Sequence, residues 1–327
     1  MREVIDDDLL SRVVDDTPAE IEDDGERRPP SGLSPSSIDL YLQCPRKFEY
    51  EKIDRHDGGT GEAAVKGTFV HRVLELLMQQ DPRDRTPERA REFVGMAWEE
   101  IAVGSEFMSL SLPVEEAKQF RRDGWHSVRR YFEMEDPQAI EVVSTEERLE
   151  AVIEGVPIRG IVDRLERDLL DDLVVTDYKN GKVPLPRYRA PKMRQLNYYA
   201  ALVEEVHGDR PVAGRLVFTG FGEVIDTNFT DESVGDAIEV AVEVWHGVHH
   251  DMEEGFEPNI GPLCGWCPMV ADCAEGSAEM VKRGKKKPGS RGALGDHAPA
   301  WDLVPELIEL KAERRALADL GSDASVF

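Results

Sequence analysis

Two acidic residues and a lysine form the most chemically informative set in this sequence of 327 residues. Asp177 and Lys179 are two positions apart in VVTDYK, whose β-branched residues predict a strand. Side chains alternate across a strand, so Asp177 and Lys179 share one face and Tyr178 points to the other. Asp163 lies in a second predicted strand, IRGIVDRLER, and antiparallel pairing would bring it beside Asp177. Two adjacent carboxylates repel each other, and Mg²⁺ or Mn²⁺ relieves that repulsion.

Such a set suits the hydrolysis of a phosphodiester. A bound cation polarises the phosphate and lowers the pKa of a coordinated water. Lys179 would orient or deprotonate that water and stabilise negative charge in the transition state. The same Asp-x-Lys pattern also occurs on solvated strand faces that carry only an ion pair, and the three residues alone leave that interpretation open.

Two further patterns add candidate side chains. His71 follows Gly67 in GTFVH, near the expected start of a helix, and Gly67 would permit close backbone approach. Gln195 and Tyr199 are four residues apart and share a face of a predicted helix. A lone helical histidine is more often structural, and the Gln195 face also fits a helix that simply packs through Leu196.

The four cysteines are the number that closes one metal site: Cys44, Cys264, Cys267 and Cys273. Cys264 and Cys267 form C-x-x-C without the βαβ setting of a redox motif, and Cys273 follows closely, which favours ligation. Zinc and a [4Fe–4S] cluster both accept four thiolates, so spacing alone leaves the choice open. With Cys44, 220 residues before Cys264, the site would hold the two ends of the fold together.

Hydrophobic periodicity predicts a helical N-terminal part followed by a mixed α/β centre. Helices are expected at 34–50, from Thr68, at about 86–103 and at 113–135, after a flexible link at 57–67. Three strands are expected between 145 and 181, then a helix at about 190–207, a hairpin and a long helix at about 231–253. The fold class is therefore α/β.

The formal net charge of −26 opposes nucleic-acid binding if it is taken alone, because affinity for DNA comes largely from Lys and Arg. Binding follows local patches, however, and residues 1–30 hold eleven acids against four arginines. The start, MREVIDDDLL, has no apolar run and no stretch suits a membrane span, so we expect a cytoplasmic protein without membrane attachment.

Six motifs follow one another along the chain: S-x(4)-Y-x-x-C-P-x-K-F (Ser36–Phe48), G-T-x-x-H (Gly67–His71), G-x-x-D-R (Gly160–Arg164), D-Y-K (Asp177–Lys179), Q-x(3)-Y (Gln195–Tyr199) and C-x-x-C-x(5)-C (Cys264–Cys273). In this order they resemble the RecB-like P-D-(D/E)-x-K nucleases. The resemblance covers about residues 33–276 and is closest to members with an iron–sulfur cluster: the AddB nuclease domain and the CRISPR-associated and phage-encoded RecB-like exonucleases.

The resemblance implies a role for each matched residue. His71, Asp163, Asp177 and the backbone carbonyl of Tyr178 would bind Mg²⁺ or Mn²⁺. Lys179 would be the catalytic lysine, and Gln195 and Tyr199 would form an accessory catalytic motif near DNA. The four cysteines would hold a [4Fe–4S] cluster.

The resemblance also implies an architecture: a restriction-endonuclease-like mixed β-sheet core flanked by helices, with a helical N-terminal part and a cysteine-ligated cluster cap. The expected domain organisation is a disordered acidic tail (1–32), the nuclease domain (33–280), a basic linker (281–300) and a C-terminal amphipathic helix (301–327).

The expected function is a metal-dependent exonuclease acting on DNA ends, preferably single-stranded, in repair, recombination or CRISPR adaptation. The strand would be held by Arg46, Lys47, Lys192 and Arg194. Helicase motifs are absent, so unwinding would come from a helicase partner, or the chain would act in a CRISPR adaptation complex. The alternatives are a non-catalytic DNA-binding or scaffold subunit, which the complete set of catalytic residues disfavours, and a redox or zinc protein unrelated to DNA.

Overall fold

The computed structural model describes residues 27–56 and 58–283. The predicted C-terminal helix at 301–327 lies outside these ranges, as do most of the predicted basic linker and most of the predicted acidic tail. Within residues 27–32, Gly32 lies close against the second strand of the sheet. A Cβ at Gly32 would be 2.8 Å from the carbonyl oxygen of Pro157, so the chain already contacts the sheet before Leu33.

The described elements follow the predicted order of helices, strands and helices. The helices are α1 (Pro35–Gln43), α2 (Pro45–Phe48), α3 (Glu62–Met78), α4 (Pro87–Ala102), α5 (Ser105–Ser109), α6 (Val114–Met134), α7 (Ala190–His207), α8 (Asp231–Glu254) and α9 (Ala274–Lys282). The strands are β1 (Glu141–Ile153), β2 (Val156–Arg167), β3 (Leu173–Lys179), β4 (Ala213–Phe218) and β5 (Glu223–Asn228).

The prediction of a single helix at 34–50 is wrong, because the helix is interrupted at Cys44. Cys44 has an extended backbone, with φ −166° and ψ 108°, between α1 and α2. The residue before a proline is driven out of the helical region by the proline ring, and Pro45 follows Cys44. A π-helical turn, Glu49–Ile53, then continues α2. The break turns Cys44 away from the regular path of the helix.

The flexible link predicted at 57–67 is also wrong in its second half, because α3 begins at Glu62 rather than at Thr68. Glu62 and Lys66 pair across one turn at 3.1 Å, and alanines between them favour helix. Gly67 is tolerated inside this helix. A Cβ added there would meet no protein atom within 4 Å, so no protein backbone lies close to Gly67.

The sheet is mixed and has the strand order β1-β2-β3-β4-β5. The first three strands form antiparallel pairs. β3 and β4 are parallel and are joined through α7, and β5 returns antiparallel to β4. The parallel step requires a crossover helix, which is the role of α7.

Helical layers cover both faces of the sheet, and each layer has its own core. Residues of α1, α2, α7 and α8 pack against one face around Leu165, Val175 and Leu216. Residues of α3, α4 and α6 pack on the other face, around Tyr178 and Val217. Functional side chains can therefore approach the same strands from both layers.

Among residues 27–56 and 58–283, none of the helices combines the length and apolar character that crossing a bilayer would require.

Candidate active site

The register of β2 and β3 brings the two predicted carboxylates together. Arg164 pairs with Thr176 in this antiparallel ladder, so the next position places Asp163 opposite Asp177. The Oδ2 atom of Asp163 accepts a hydrogen bond of 2.6 Å from the backbone N–H of Tyr178. Asp163 and Asp177 are both buried, with 7% and 1% of their surfaces exposed. Two carboxylates thus lie side by side, largely out of water.

Lys179 and Gln195 contact Asp177 from its own strand and from α7. The Lys179 Nζ lies 2.6 Å from Oδ2 of Asp177. Gln195 donates from Nε2 to Oδ1 of Asp177 at 3.1 Å and to the hydroxyl of Tyr199 at 2.8 Å. The ring of Tyr178 lies in the opposite layer, against α3 and α6. The alternation expected for Asp177, Tyr178 and Lys179 is therefore present.

His71 reaches the same place from α3, although the prediction that it lies near the start of a helix is wrong. It is the tenth residue of α3, because the helix begins at Glu62. Its Nε2 lies 2.8 Å from the carbonyl oxygen of Tyr178. A carbonyl can only accept, so Nε2 carries the proton in this arrangement. Its Nδ1 lies 3.5 Å from Oδ2 of Asp163.

Glu146 lies beside His71 and Asp163, and the sequence alone did not identify it as a site residue. It lies on β1, and its Oε1 is 3.9 Å from Nδ1 of His71. Ligand atoms of His71, Glu146 and Asp163 all lie within 4.8 Å of one another. A glutamate in TEERLE has no local feature that separates it from its neighbours, so only the sheet register distinguishes it.

The carboxylates of this cluster differ in their electrostatics. Burial alone would raise the pKa of Asp163, but the nearby His71 and Lys179 and the N–H of Tyr178 outweigh burial and lower it. Burial raises the pKa of Asp177, and the negative charge of Asp163 raises it further. The positive charge of Lys179 acts in the opposite direction but does not cancel them. Burial and Asp163 raise the pKa of Glu146 to about 7. Burial alone would lower the pKa of His71, but the charge and hydrogen bond of Asp163, together with the charge of Asp177, outweigh burial and raise the pKa to about 9.

The G-x-x-D-R motif also gains a physical explanation. A Cβ on Gly160 would lie 2.8 Å from Cε1 of Tyr199, so only glycine leaves room for that ring. Arg164, at the end of the motif, is fully buried. Its NH1 donates to the hydroxyl of Tyr178 at 2.6 Å, and it forms an ion pair with Glu135 at 3.1 Å. The two ends of the motif thus position tyrosines next to the site: Gly160 leaves room for Tyr199, and Arg164 binds the hydroxyl of Tyr178.

The four cysteines lie near one another at the ends of the fold, and all four are free thiols. Burial raises the pKa of Cys267 to about 11, and the neighbouring thiols of Cys44 and Cys264 add to the shift while Lys47 opposes it. Three of the sulfurs accept a backbone N–H: Cys44 from Asn259, Cys264 from Gly261 and Cys273 from Gly276.

A groove of about 820 Å³ is lined by residues of α1, α2 and the segment before α7, and by Gln195. Leu40, Val183 and Leu185 are among its apolar lining residues. Three of the four predicted DNA-binding residues line it: Lys47, Lys192 and Arg194. Arg194 also pairs with Asp39 at 2.8 Å.

Arg46 does not line the groove. Its Nε donates to the carbonyl of Phe256 at 2.6 Å and lies 3.3 Å from Glu49. Arg46 therefore contacts other parts of the protein.

Comparison with known families identifies the chain. The model of the PD-(D/E)XK nuclease superfamily matches residues 32–274, which contain every residue of the cluster. The chain belongs to the PD-(D/E)XK nuclease superfamily. Members of this superfamily hydrolyse phosphodiester bonds with divalent metal ions. The mixed five-stranded sheet between helices confirms the restriction-endonuclease-like fold class.

Solved structures resemble the chain more distantly. The crystal structure of SSO0001 has 13% identity and a TM-score of 0.36, covering 76% of this chain and 89% of that one. A “Putative exonuclease” from Eubacterium rectale has 13% identity and a TM-score of 0.47, covering 82% of this chain and 94% of that one. A search of curated proteins finds no match.

Proposed function

We propose that this chain is a metal-dependent DNA exonuclease that hydrolyses phosphodiester bonds at DNA ends, with a preference for single strands. The observation that carries the proposal is the convergence of Asp163, Asp177, Lys179 and His71 from two strands and a helix. Repair, recombination or CRISPR adaptation, with a helicase or adaptation partner, is the proposed setting.

The donor set fits a hard divalent cation. His71, Asp163, Asp177 and the carbonyl of Tyr178 offer one imidazole nitrogen and several oxygens, which suit Mg²⁺ or Mn²⁺. Oδ2 of Asp177 is buried and has no hydrogen-bond partner among the described residues, although the ammonium of Lys179 lies 2.6 Å away as an ion pair.

The bound metal would polarise the scissile phosphate and activate a water. The remaining work falls to side chains of this chain. Lys179 would orient the attacking water and stabilise the negative charge that develops on the phosphate oxygens. Gln195 would keep the carboxylate of Asp177 in place, and Tyr199 would in turn fix Gln195.

The preference for single strands is proposed from the groove that Gln195 helps to line. Apolar side chains line it, which suits unpaired bases rather than a hydrated duplex. Lys47 and Lys192 would contact phosphates, and Tyr188, which also lines the groove, offers a ring for stacking. Local positive charge of this kind is what a chain of net charge −26 needs in order to bind DNA.

We also propose that the four cysteines hold a [4Fe–4S] cluster. The N–H···S bonds at Cys44, Cys264 and Cys273 are the kind of support that a thiolate ligand requires.

The decisive experiment is degradation of end-labelled single-stranded DNA with Mg²⁺ or Mn²⁺. We expect cleavage that EDTA abolishes. Asp177→Asn should lose both activity and Mn²⁺ binding, whereas Lys179→Ala should lose activity by about 10²–10³-fold and keep Mn²⁺ binding. Lys118→Ala, an exposed lysine paired with Glu115 at 2.7 Å, is the matched control and should behave as wild type. Full activity in both site variants would refute the site.

Circular and end-blocked substrates test the exonuclease part of the proposal. An exonuclease spares both, whereas cutting of circular single strands at the rate of linear ones would make the enzyme an endonuclease. Duplex DNA degraded as fast as single strands would refute the strand preference alone.

A further inference from the structure

Glu146 lies where the pairing of β1 and β2 is irregular. Thr145 pairs with Arg164 and Glu147 with Val162, so Glu146 lies opposite Asp163 without a regular partner of its own. Its backbone has φ 48°, which a non-glycine residue rarely adopts. The next side chain, Glu147, points elsewhere and lies 2.9 Å from Nε2 of His207. Of these two glutamates, only Glu146 lies beside His71 and Asp163.

The distances around Glu146 are those of ligands on a common ion. Nδ1 of His71 lies 3.9 Å from Oε1 of Glu146 and 3.5 Å from Oδ2 of Asp163. Two atoms bound to one ion at about 2.1 Å are separated by about 3.0 Å when adjacent and by about 4.2 Å when opposite. Both measured distances fall inside that interval. The 3.9 Å between Glu146 and His71 exceeds hydrogen-bond length, so Glu146 is not simply an acceptor for His71.

The charges around Glu146 are consistent with these distances. Asp163, Asp177 and Glu75 all act on Glu146 as like charges, and His71 is the cation that opposes them. Asp177 is itself a buried carboxylate, 1% exposed. Lys179 pairs with Asp177, and Glu75 is paired with Arg72 at 2.8 Å. The remaining carboxylates, Glu146 and Asp163, share one imidazole, and a divalent cation would balance them.

We propose that Glu146 is a further protein ligand of the catalytic divalent cation, acting with His71 and Asp163. The inference rests on the proposed metal-dependent nuclease function and adds a residue to its metal site. The third carboxylate binds the cation from the side of β1, opposite the strand that carries Asp177 and Lys179.

The test is Mn²⁺ binding to the full-length protein, measured by calorimetry and by electron paramagnetic resonance. Glu146→Gln is expected to weaken Mn²⁺ binding by at least about 10-fold. Glu147→Gln, its neighbour on β1, is the matched control and is expected to bind Mn²⁺ as the wild type does. Wild-type affinity in Glu146→Gln would overturn the inference.

Two further measurements separate ligation from a structural role. Without metal, Glu146→Gln is expected to melt above the wild type, because it removes a carboxylate that Asp163 repels; a lower melting temperature would contradict this. Glu146→His replaces an oxygen ligand with nitrogen and is expected to shift the preference from Mn²⁺ towards Co²⁺ or Zn²⁺. An unchanged order of metals would also overturn the inference.

The failure of this inference is distinguishable from failure of the proposed function. If Asp177→Asn loses Mn²⁺ and activity while Glu146→Gln retains both, the nuclease proposal stands and the role of Glu146 is wrong. If Asp177→Asn also retains both, the metal site itself is wrong.

Discussion

At the scale of single residues, Gly160 shows how one missing side chain builds a catalytic site. The residue lies on β2, three positions before Asp163, and a Cβ there would also come within 3.1 Å of Cδ1 of Leu202. Tyr199 uses the space and is only 6% exposed. Its hydroxyl accepts from Gln195, which holds Asp177. The glycine therefore affects a carboxylate of the proposed metal site that it does not touch.

Gly160→Ala is expected to lower the free energy of unfolding by about 1–3 kcal/mol, because the methyl group overpacks the contact between β2 and α7. Nuclease activity should fall with it, as Tyr199 and Gln195 move. Gly235→Ala on α8 is the control. A Cβ there meets no protein atom within 4 Å, and the change should raise stability by about 0.5–1 kcal/mol. Urea denaturation and initial rates measure both, and equal stabilities would contradict the packing explanation.

At the scale of secondary-structure elements, one buried ion-pair network joins α6 to the sheet behind the site. Arg164 of β2 is its centre and pairs with Glu135, at the end of α6, and with Glu166. Arg215 of β4 lies 2.9 Å from Glu135. Because Arg164 also holds the hydroxyl of Tyr178, the network fixes the strand that carries Asp177 and Lys179.

This network predicts a specific acid sensitivity. Burial alone would raise the pKa of Glu135, but Arg164 and Arg215 outweigh it and lower the pKa below the usual 4.5. A lowered pKa means that Glu135 contributes stability above pH 4.5, which is lost as the pH falls through the folded-state value. Glu135→Gln should therefore destabilise the protein at pH 7 and flatten the decline of its melting temperature below pH 4.5. An unchanged acid profile would contradict the assignment.

At the scale of the whole molecule, the cysteine site connects the two ends of the described chain. Cys44 follows α1, and the other three cysteines lie between α8 and α9. A ligated metal centre that closes a loop of this length restricts the unfolded chain strongly. The groove beside it is lined by residues of both ends, Lys47 and Leu263 among them. Loss of the proposed cluster would therefore loosen the proposed DNA groove as well.

Cys267→Ser is expected to remove iron and the absorption band of the cluster, lower the melting temperature and weaken binding of single-stranded DNA. Ser277→Ala, in the adjacent helix α9, is the control for a local change and should retain iron, although it loses a hydrogen bond to Val270. Iron analysis, visible absorption and calorimetry measure the outcome. A protein that carries zinc and no iron would show that the cluster assignment is wrong.

The net charge of −26 predicts opposite effects of salt on folding and on DNA binding. Raising NaCl from about 0.1 to about 1 M shortens the Debye length from about 10 to about 3 Å and screens the repulsion among acidic side chains. The melting temperature should therefore rise. Binding of single-stranded DNA should weaken over the same range, because salt competes with phosphate contacts. A melting temperature that falls with NaCl would show that repulsion does not limit the stability of this chain.

The sequence by itself determined the local features of this protein. The order of helices and strands, and the shared face of Asp177 and Lys179, follow from periods of 3.6 and 2 that are present in the residues themselves. The break before Pro45 was also encoded locally, since a proline restricts the residue that precedes it. The prediction of one continuous helix at 34–50 did not take this effect of Pro45 into account. The motifs were sufficient to predict the α/β fold class and the superfamily.

Only the tertiary structure decided which distant residues meet. Glu146 became part of the cluster through the register of β1 and β2, and Arg46 was drawn to Phe256 and Glu49 rather than to the groove. The approach of Cys44 to three cysteines more than 200 residues later likewise depends on the packing of α1 and α8 on one face of the sheet. Such contacts arise from side chains brought together by packing, and no periodic pattern along the chain records them.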